Sequence, residues 1–90
     1  MGAKAEISWR RTLDTGEKVQ VYARRVGGEW RFHSRERRYD DWQDLPQPPF
    51  EDWMELLDAV RRRIQRRLAR PEEEDRIKQR IRELFPGTAI

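Results

Sequence analysis

Three runs of alternating residues, each closed by a turn signal, leave this chain little freedom in its first 36 positions. Residues 5–13 place Ala5, Ile7, Trp9, Arg11 and Leu13 on one side and Glu6, Ser8, Arg10 and Thr12 on the other. Such a period of two predicts a half-buried strand. Asp14-Thr15-Gly16 follows as a turn signature, with Gly16 able to take a positive φ. Residues 17–26 alternate again, with Val19, Val21 and Ala23 opposite Lys18, Gln20, Tyr22 and Arg24. Gly27-Gly28 then reads as a two-residue primed hairpin turn. Residues 29–36 set Trp30, Phe32 and Ser34 against Arg31, His33 and Arg35.

The two turns fix the register independently. A two-residue turn at Gly27-Gly28 pairs Val26 with Glu29, so Ala23 opposes Phe32 and Tyr22 opposes His33. A three-residue turn at 14–16 pairs Leu13 with Glu17, so Trp9 opposes Val21 and Ile7 opposes Ala23. Directly opposed residues share a sheet face. Both registers gather Ile7, Trp9, Val19, Val21, Ala23, Trp30 and Phe32 on one side, an agreement that a slip of one residue would destroy.

Residues 37–49 show no clean period; Tyr39, Trp42 and Leu45 are expected to pin a loop to the edge of the core. Pro49 suits the first position of a helix. Phe50, Trp53, Leu57, Val60, Ile64 and Leu68 then recur at steps of three and four, which predicts an amphipathic helix over about 49–69 whose stripe covers the sheet. Pro71 interrupts. Glu72, Glu73, Glu74 and Asp75 suit the positive end of a second helix, about 72–85, with Ile77, Ile81, Leu84 and Phe85 as its stripe. An unbroken helix through Pro71 would point that stripe away from Phe50 and Leu68. Either the chain folds back near Arg70-Pro71, or its tail reaches a second molecule. The expected architecture is α+β: one small domain over 1–90, a three-stranded antiparallel β-meander packed by an amphipathic helix and followed by a second, shorter C-terminal helix.

Composition narrows the function classes. No run of about 18 apolar residues is available to span a membrane, and no N-terminal apolar stretch resembles a secretory signal. The absence of cysteine removes disulfides, zinc thiolates and thiol nucleophiles, and a reducing cytoplasm is the expected setting. His33 is the only histidine, so no metal-ligand constellation is present and one imidazole alone could act as a base. Ser34 adjoins it and points to the opposite face. There is no phosphate-binding glycine loop, because Gly27-Gly28 lies between strands. These features predict a non-enzymatic protein that needs no cofactor.

The net charge of +3 conceals its distribution. Residues 41–58 hold six acids and no base, and residues 59–70 hold six arginines and no acid. Acids early and bases late in one helix complement its dipole, with Asp58 able to pair with Arg61 or Arg62 one turn on. The outer face of the sheet is different. It is expected to carry Arg10, Lys18, Tyr22, Arg24, Arg31, His33 and Arg35, with Glu6 and Glu29 as its only acids near the strand ends. Cations around a stackable ring suit a nucleic-acid backbone with one or two bases. A solvated sheet face is polar in any case, and 17 arginines against 3 lysines with no asparagine is a pattern that GC-rich coding produces. The leading expectation is DNA or RNA binding on this face. The alternative is a protein-interaction or homodimerisation module built on Ile77, Ile81, Leu84 and Phe85. No membrane partner is expected.

Overall fold

The computed structural model describes residues 6–90; Ala5, expected to open the first strand, lies outside the described residues. The elements run in the order β1 (Glu6–Thr12), β2 (Lys18–Val26), β3 (Glu29–Arg35), β4 (Gln43–Asp44), α1 (Phe50–Gln65) and α2 (Pro71–Leu84). The chain divides after Pro48 into two compact units, one built on the sheet and one on the helices.

The sheet is antiparallel with strand order β1-β2-β3-β4. Both registers are the ones the turns predict: Ile7 opposes Ala23 and Trp9 opposes Val21, while Ala23 opposes Phe32 and Tyr22 opposes His33. The turn chemistry explains why. Gly27 and Gly28 both have positive φ, 58° and 86°, as a primed two-residue hairpin requires. At the other turn Leu13 N–H donates to Glu17 O at 2.7 Å, and Gly16, at φ 90°, donates to Leu13 O at 2.9 Å. With the register set, Ile7, Val19, Val21, Ala23 and Phe32 are buried. Trp9 lies edge-on to Phe32 with ring centroids 6.0 Å apart.

The loop expected over 37–48 contains a strand instead. In β4, Gln43 pairs with Ser34 and Asp44 with His33, and Leu45 N–H donates to Phe32 O at 2.9 Å. Two paired residues are too few to leave a period in the sequence. Trp42 and Leu45 flank β4, but Tyr39 pins nothing: it is 93% exposed, beyond a turn in which Asp40 N–H donates to Arg37 O at 3.0 Å.

In the helical unit α1 buries Trp53, Leu56, Leu57 and Val60, together with Asp52 in its first turn. It ends at Gln65, four residues earlier than the stripe implies, and Leu68 is 71% exposed. The cause is the backbone at Arg67, which takes a left-handed φ of 61°. Arg67 N–H donates to Ile64 O at 3.0 Å and Leu68 N–H to Arg63 O at 2.8 Å, the two bonds of a Schellman cap. The cap turns the chain before Leu68 can join the stripe. Pro71 then opens α2 at its first turn, where its missing N–H does no harm.

The chain does fold back. Phe50 at the start of α1 meets Phe85 just beyond the end of α2, with ring centroids 5.4 Å apart. Arg61 late in α1 donates to Glu74 early in α2 at 3.2 Å. The helices therefore form an antiparallel hairpin, and Ile77 and Ile81 are buried. The acid-to-base order along α1 is partly satisfied within it, through an Arg62–Asp58 pair. Among the described residues no helix is long and apolar enough to cross a membrane.

Two expectations follow. A left-handed backbone costs an L-residue about 1–2 kcal/mol, so Arg67→Gly should stabilise the protein by about 0.5–1 kcal/mol after glycine's extra unfolded-state freedom is subtracted; urea unfolding measures this. Lys78, which donates to Glu74, holds that carboxyl below the usual carboxylate range; partial burial opposes the shift and Arg61 adds to it. A carboxylate lowered on folding stabilises above its unfolded pKa, and that contribution is lost as pH falls through the folded value. Glu74→Gln should therefore lower the urea midpoint modestly at neutral pH, and its difference from the parent protein should vanish in acid.

Candidate functional site

The register sorts the polar face into rows that cross the strands. Glu6, Arg24 and Arg31 form the first; Ser8, Tyr22, His33 and Asp44 the second; Arg10, Gln20 and Arg35 the third; Thr12 and Lys18 the fourth. Neighbouring rows are two residues apart along each strand, so the two arginine-bearing rows stand about 13 Å apart with the aromatic row between them. All seven residues expected on this face lie on it.

They do not all lie open. Arg10, Lys18, Arg24 and Arg31 are exposed, while Tyr22 and Arg35 are half-buried. His33, expected at the surface, is only 8% exposed. Its ring stacks on Tyr22 with centroids 4.8 Å apart and planes inclined by 20°. Its Nδ1 is 3.1 Å from Asp44 Oδ1, and its Nε2 is buried with no hydrogen-bond partner among the described residues. The unforeseen strand β4 is the reason, because it adds a neighbour on the side that a three-stranded sheet leaves open. His33 thus supports Tyr22 rather than presenting itself to a ligand.

Trp42, just before β4, completes the centre of the face. Its ring meets Tyr22 edge-on at 4.5 Å. The Arg35 guanidinium lies 4.3 Å from the centre of the Trp42 ring, and Arg35 Nε donates to Gln20 Oε1 at 2.6 Å. Trp42 remains 37% exposed. The sequence places Trp42 only in a loop at the edge of the core, because its seat on this face depends on the two-residue strand beside it. The two perpendicular rings make a corner, and Glu6, Ser8, Tyr22 and Trp42 line a half-open cleft of about 380 Å³.

The electrostatics of the first row are unusual. Arg24 directly opposes Arg31, and like charges in that relation destabilise a sheet. Glu6 lies opposite Arg24 on the other side, and Glu29 approaches Arg31 at 3.9 Å between well-exposed side chains. A pair so loose and so solvated offsets little of the repulsion. An anion seated between the two guanidiniums would remove it.

The second candidate surface is less available. Ile77 and Ile81 are buried, and Phe85 is half-buried against Phe50. Leu84 alone of that stripe stands out, at 42% exposed. Among the described residues no group of three or more His, Asp or Glu could hold a metal ion. Comparison with protein-family models, with curated proteins and with solved structures finds no match to this chain.

If Trp42 clamps β4 through Tyr22 and Arg35, Trp42→Ala should loosen that strand selectively. Ring–ring and cation–ring contacts contribute about 1–2 kcal/mol together. Hydrogen exchange at the Leu45 amide should then quicken about tenfold, with the amides pairing β1 and β2 unchanged.

Proposed function

We propose that this chain is a non-enzymatic binding domain that holds single-stranded nucleic acid on the polar face of its sheet. The observation that carries the reading is the corner of exposed Trp42 and half-buried Tyr22 set between two rows of arginines. Bases stack on aromatic rings while cations take the phosphates on either side, and every base offers a π-face. A duplex hides those faces within its own stack, so the ring corner favours a single strand. The opposed Arg24 and Arg31 supply a second reason, since a phosphate between them relieves a repulsion already present in the protein.

The division of labour is then as follows. Arg24 and Arg31 serve one phosphate, and Arg10 serves another across the aromatic row. Lys18, in the fourth row, extends the cationic track. Tyr22 and Trp42 receive a base. His33 and Asp44 hold Tyr22 upright, and Arg35 with Gln20 holds Trp42. The buried His33 Nε2 argues against acid–base chemistry on a bound substrate, and the proposal includes no cofactor and no membrane partner. A cytoplasmic setting accords with this role. Partnership through the C-terminal helix is not carried forward, because Ile77 and Ile81 are buried.

Titration of a labelled single-stranded oligonucleotide against the protein, at several salt concentrations, tests the proposal. With Arg24 and Arg31 sharing one phosphate and Arg10 and Lys18 taking one each, log K should fall with log salt at a slope of about −2. Arg24→Glu with Arg31→Glu should weaken binding at least about tenfold and bring the slope to about −1.5 or shallower. Absence of binding at low salt, or indifference to the double substitution, would sink the reading.

A further inference from the structure

The cleft beside the aromatic row has a hydrogen-bonding edge that a stacking platform alone does not need. Tyr22 rests one ring face on His33, so its other face turns toward β1, where Ser8 is its cross-strand partner. Ser8 and Glu6 lie on the same face of β1, two residues apart, and both line the cleft. Trp42 closes it at right angles to Tyr22. A flat ring entering here continues the His33–Tyr22 stack by one layer. Its edge then runs along β1, past a hydroxyl and a carboxylate.

That pair of groups discriminates among bases. An ionised carboxylate only accepts hydrogen bonds, and a serine hydroxyl can donate one. Guanine presents an oxygen acceptor followed by two adjacent N–H donors on its pairing edge. The Ser8 hydroxyl matches the oxygen, and the two oxygens of Glu6 match the two donors. Adenine and cytosine each offer one amino group next to a ring nitrogen acceptor, so a carboxylate meets one donor and one lone pair. Uracil and thymine offer a single N–H between two carbonyls, which repel a carboxylate on both sides. Glu6 engages other groups in the protein as well, but a carboxylate has about four acceptor sites and need not surrender one to gain another.

Resting on the single-strand reading above, we infer that the Glu6–Ser8–Tyr22–Trp42 cleft is a guanine subsite. Arg24 and Arg10, in the rows to either side, take the phosphates that flank the selected nucleotide. Glu6 is then a specificity residue. It is an acid retained on a cationic face, where it weakens general phosphate affinity and rewards one base.

Short labelled oligouridines with a single central guanine, adenine, cytosine or uracil test the inference, in ribose and deoxyribose series, by fluorescence anisotropy. The guanine oligomer should bind about tenfold or more tightly than the uracil one, with adenine and cytosine between them. The two series report whether the ribose hydroxyl contributes. Glu6→Gln should bring the guanine-to-uracil ratio to within about twofold and leave uracil affinity equal or higher, as expected when a bidentate contact is lost and a repulsive charge removed. Circular dichroism of this exposed-site variant checks that the sheet is intact. Tight but equal binding of all four oligomers overturns the subsite and leaves single-strand binding standing. A preference that survives Glu6→Gln overturns the assigned role of Glu6. Failure of every oligomer to bind at low salt overturns both readings.

Discussion

The stack of Tyr22 on His33 is the contact from which the rest of the polar face is arranged. It exists because the Gly27-Gly28 turn sets these residues directly opposite each other. A tyrosine alone on a solvated strand would sample several rotamers. Here its ring is held 4.8 Å from an imidazole that is itself tied to Asp44. The upright ring gives Trp42 a perpendicular partner, and Trp42 in turn gives Arg35 a surface to lie over. Each step fixes a side chain that would otherwise be mobile, so a ligand meeting the face need not order those side chains itself. The chain of contacts starts from backbone geometry in a turn and ends at the aromatic corner.

Much of this was legible in the sequence, for a reason specific to hairpins. A tight turn determines which residues oppose each other, and alternation determines which face each occupies. Arg10, Lys18, Tyr22, Arg24, Arg31, His33 and Arg35 could therefore be assigned to one face from the residue pattern. The burial of His33 could not, because it depends on β4. Gln43 and Asp44 pair through long-range contacts that leave no periodic trace, and Pro46 close behind them reads as a loop signal. The seat of Trp42 was illegible for the same reason. Helix length failed differently. Leu68 continues the apolar period perfectly well, but Arg67 adopts a conformation that arginine disfavours and that no propensity would assign to it. A glycine there would have announced the stop.

The two halves of the chain also handle charge differently. In the helical hairpin four arginines meet acids: Arg61 with Glu74, Arg62 with Asp58, Arg76 with Glu73 and Arg80 with Glu83. These pairs lie within a turn or across the hairpin, where the acid-first, base-last order of the helices brings opposite signs together.

The sheet also sets two cations, Arg24 and Arg31, directly opposite each other on its polar face. Arg24 beside Arg31 is a local conflict in a sequence whose turns, alternation and helix starts otherwise agree with its structure. A neutral or acidic residue at either position would suit the strand at least as well, because the face is solvated and the backbone pairing does not depend on it. Consistency elsewhere gives this departure its weight: a local choice that opposes an otherwise concordant fold is expected at functional or strained sites. Compositional preference for arginine over lysine accounts for which cation is used. It does not account for two of them facing each other across a hairpin, within reach of the aromatic corner. The anionic ligand proposed above would.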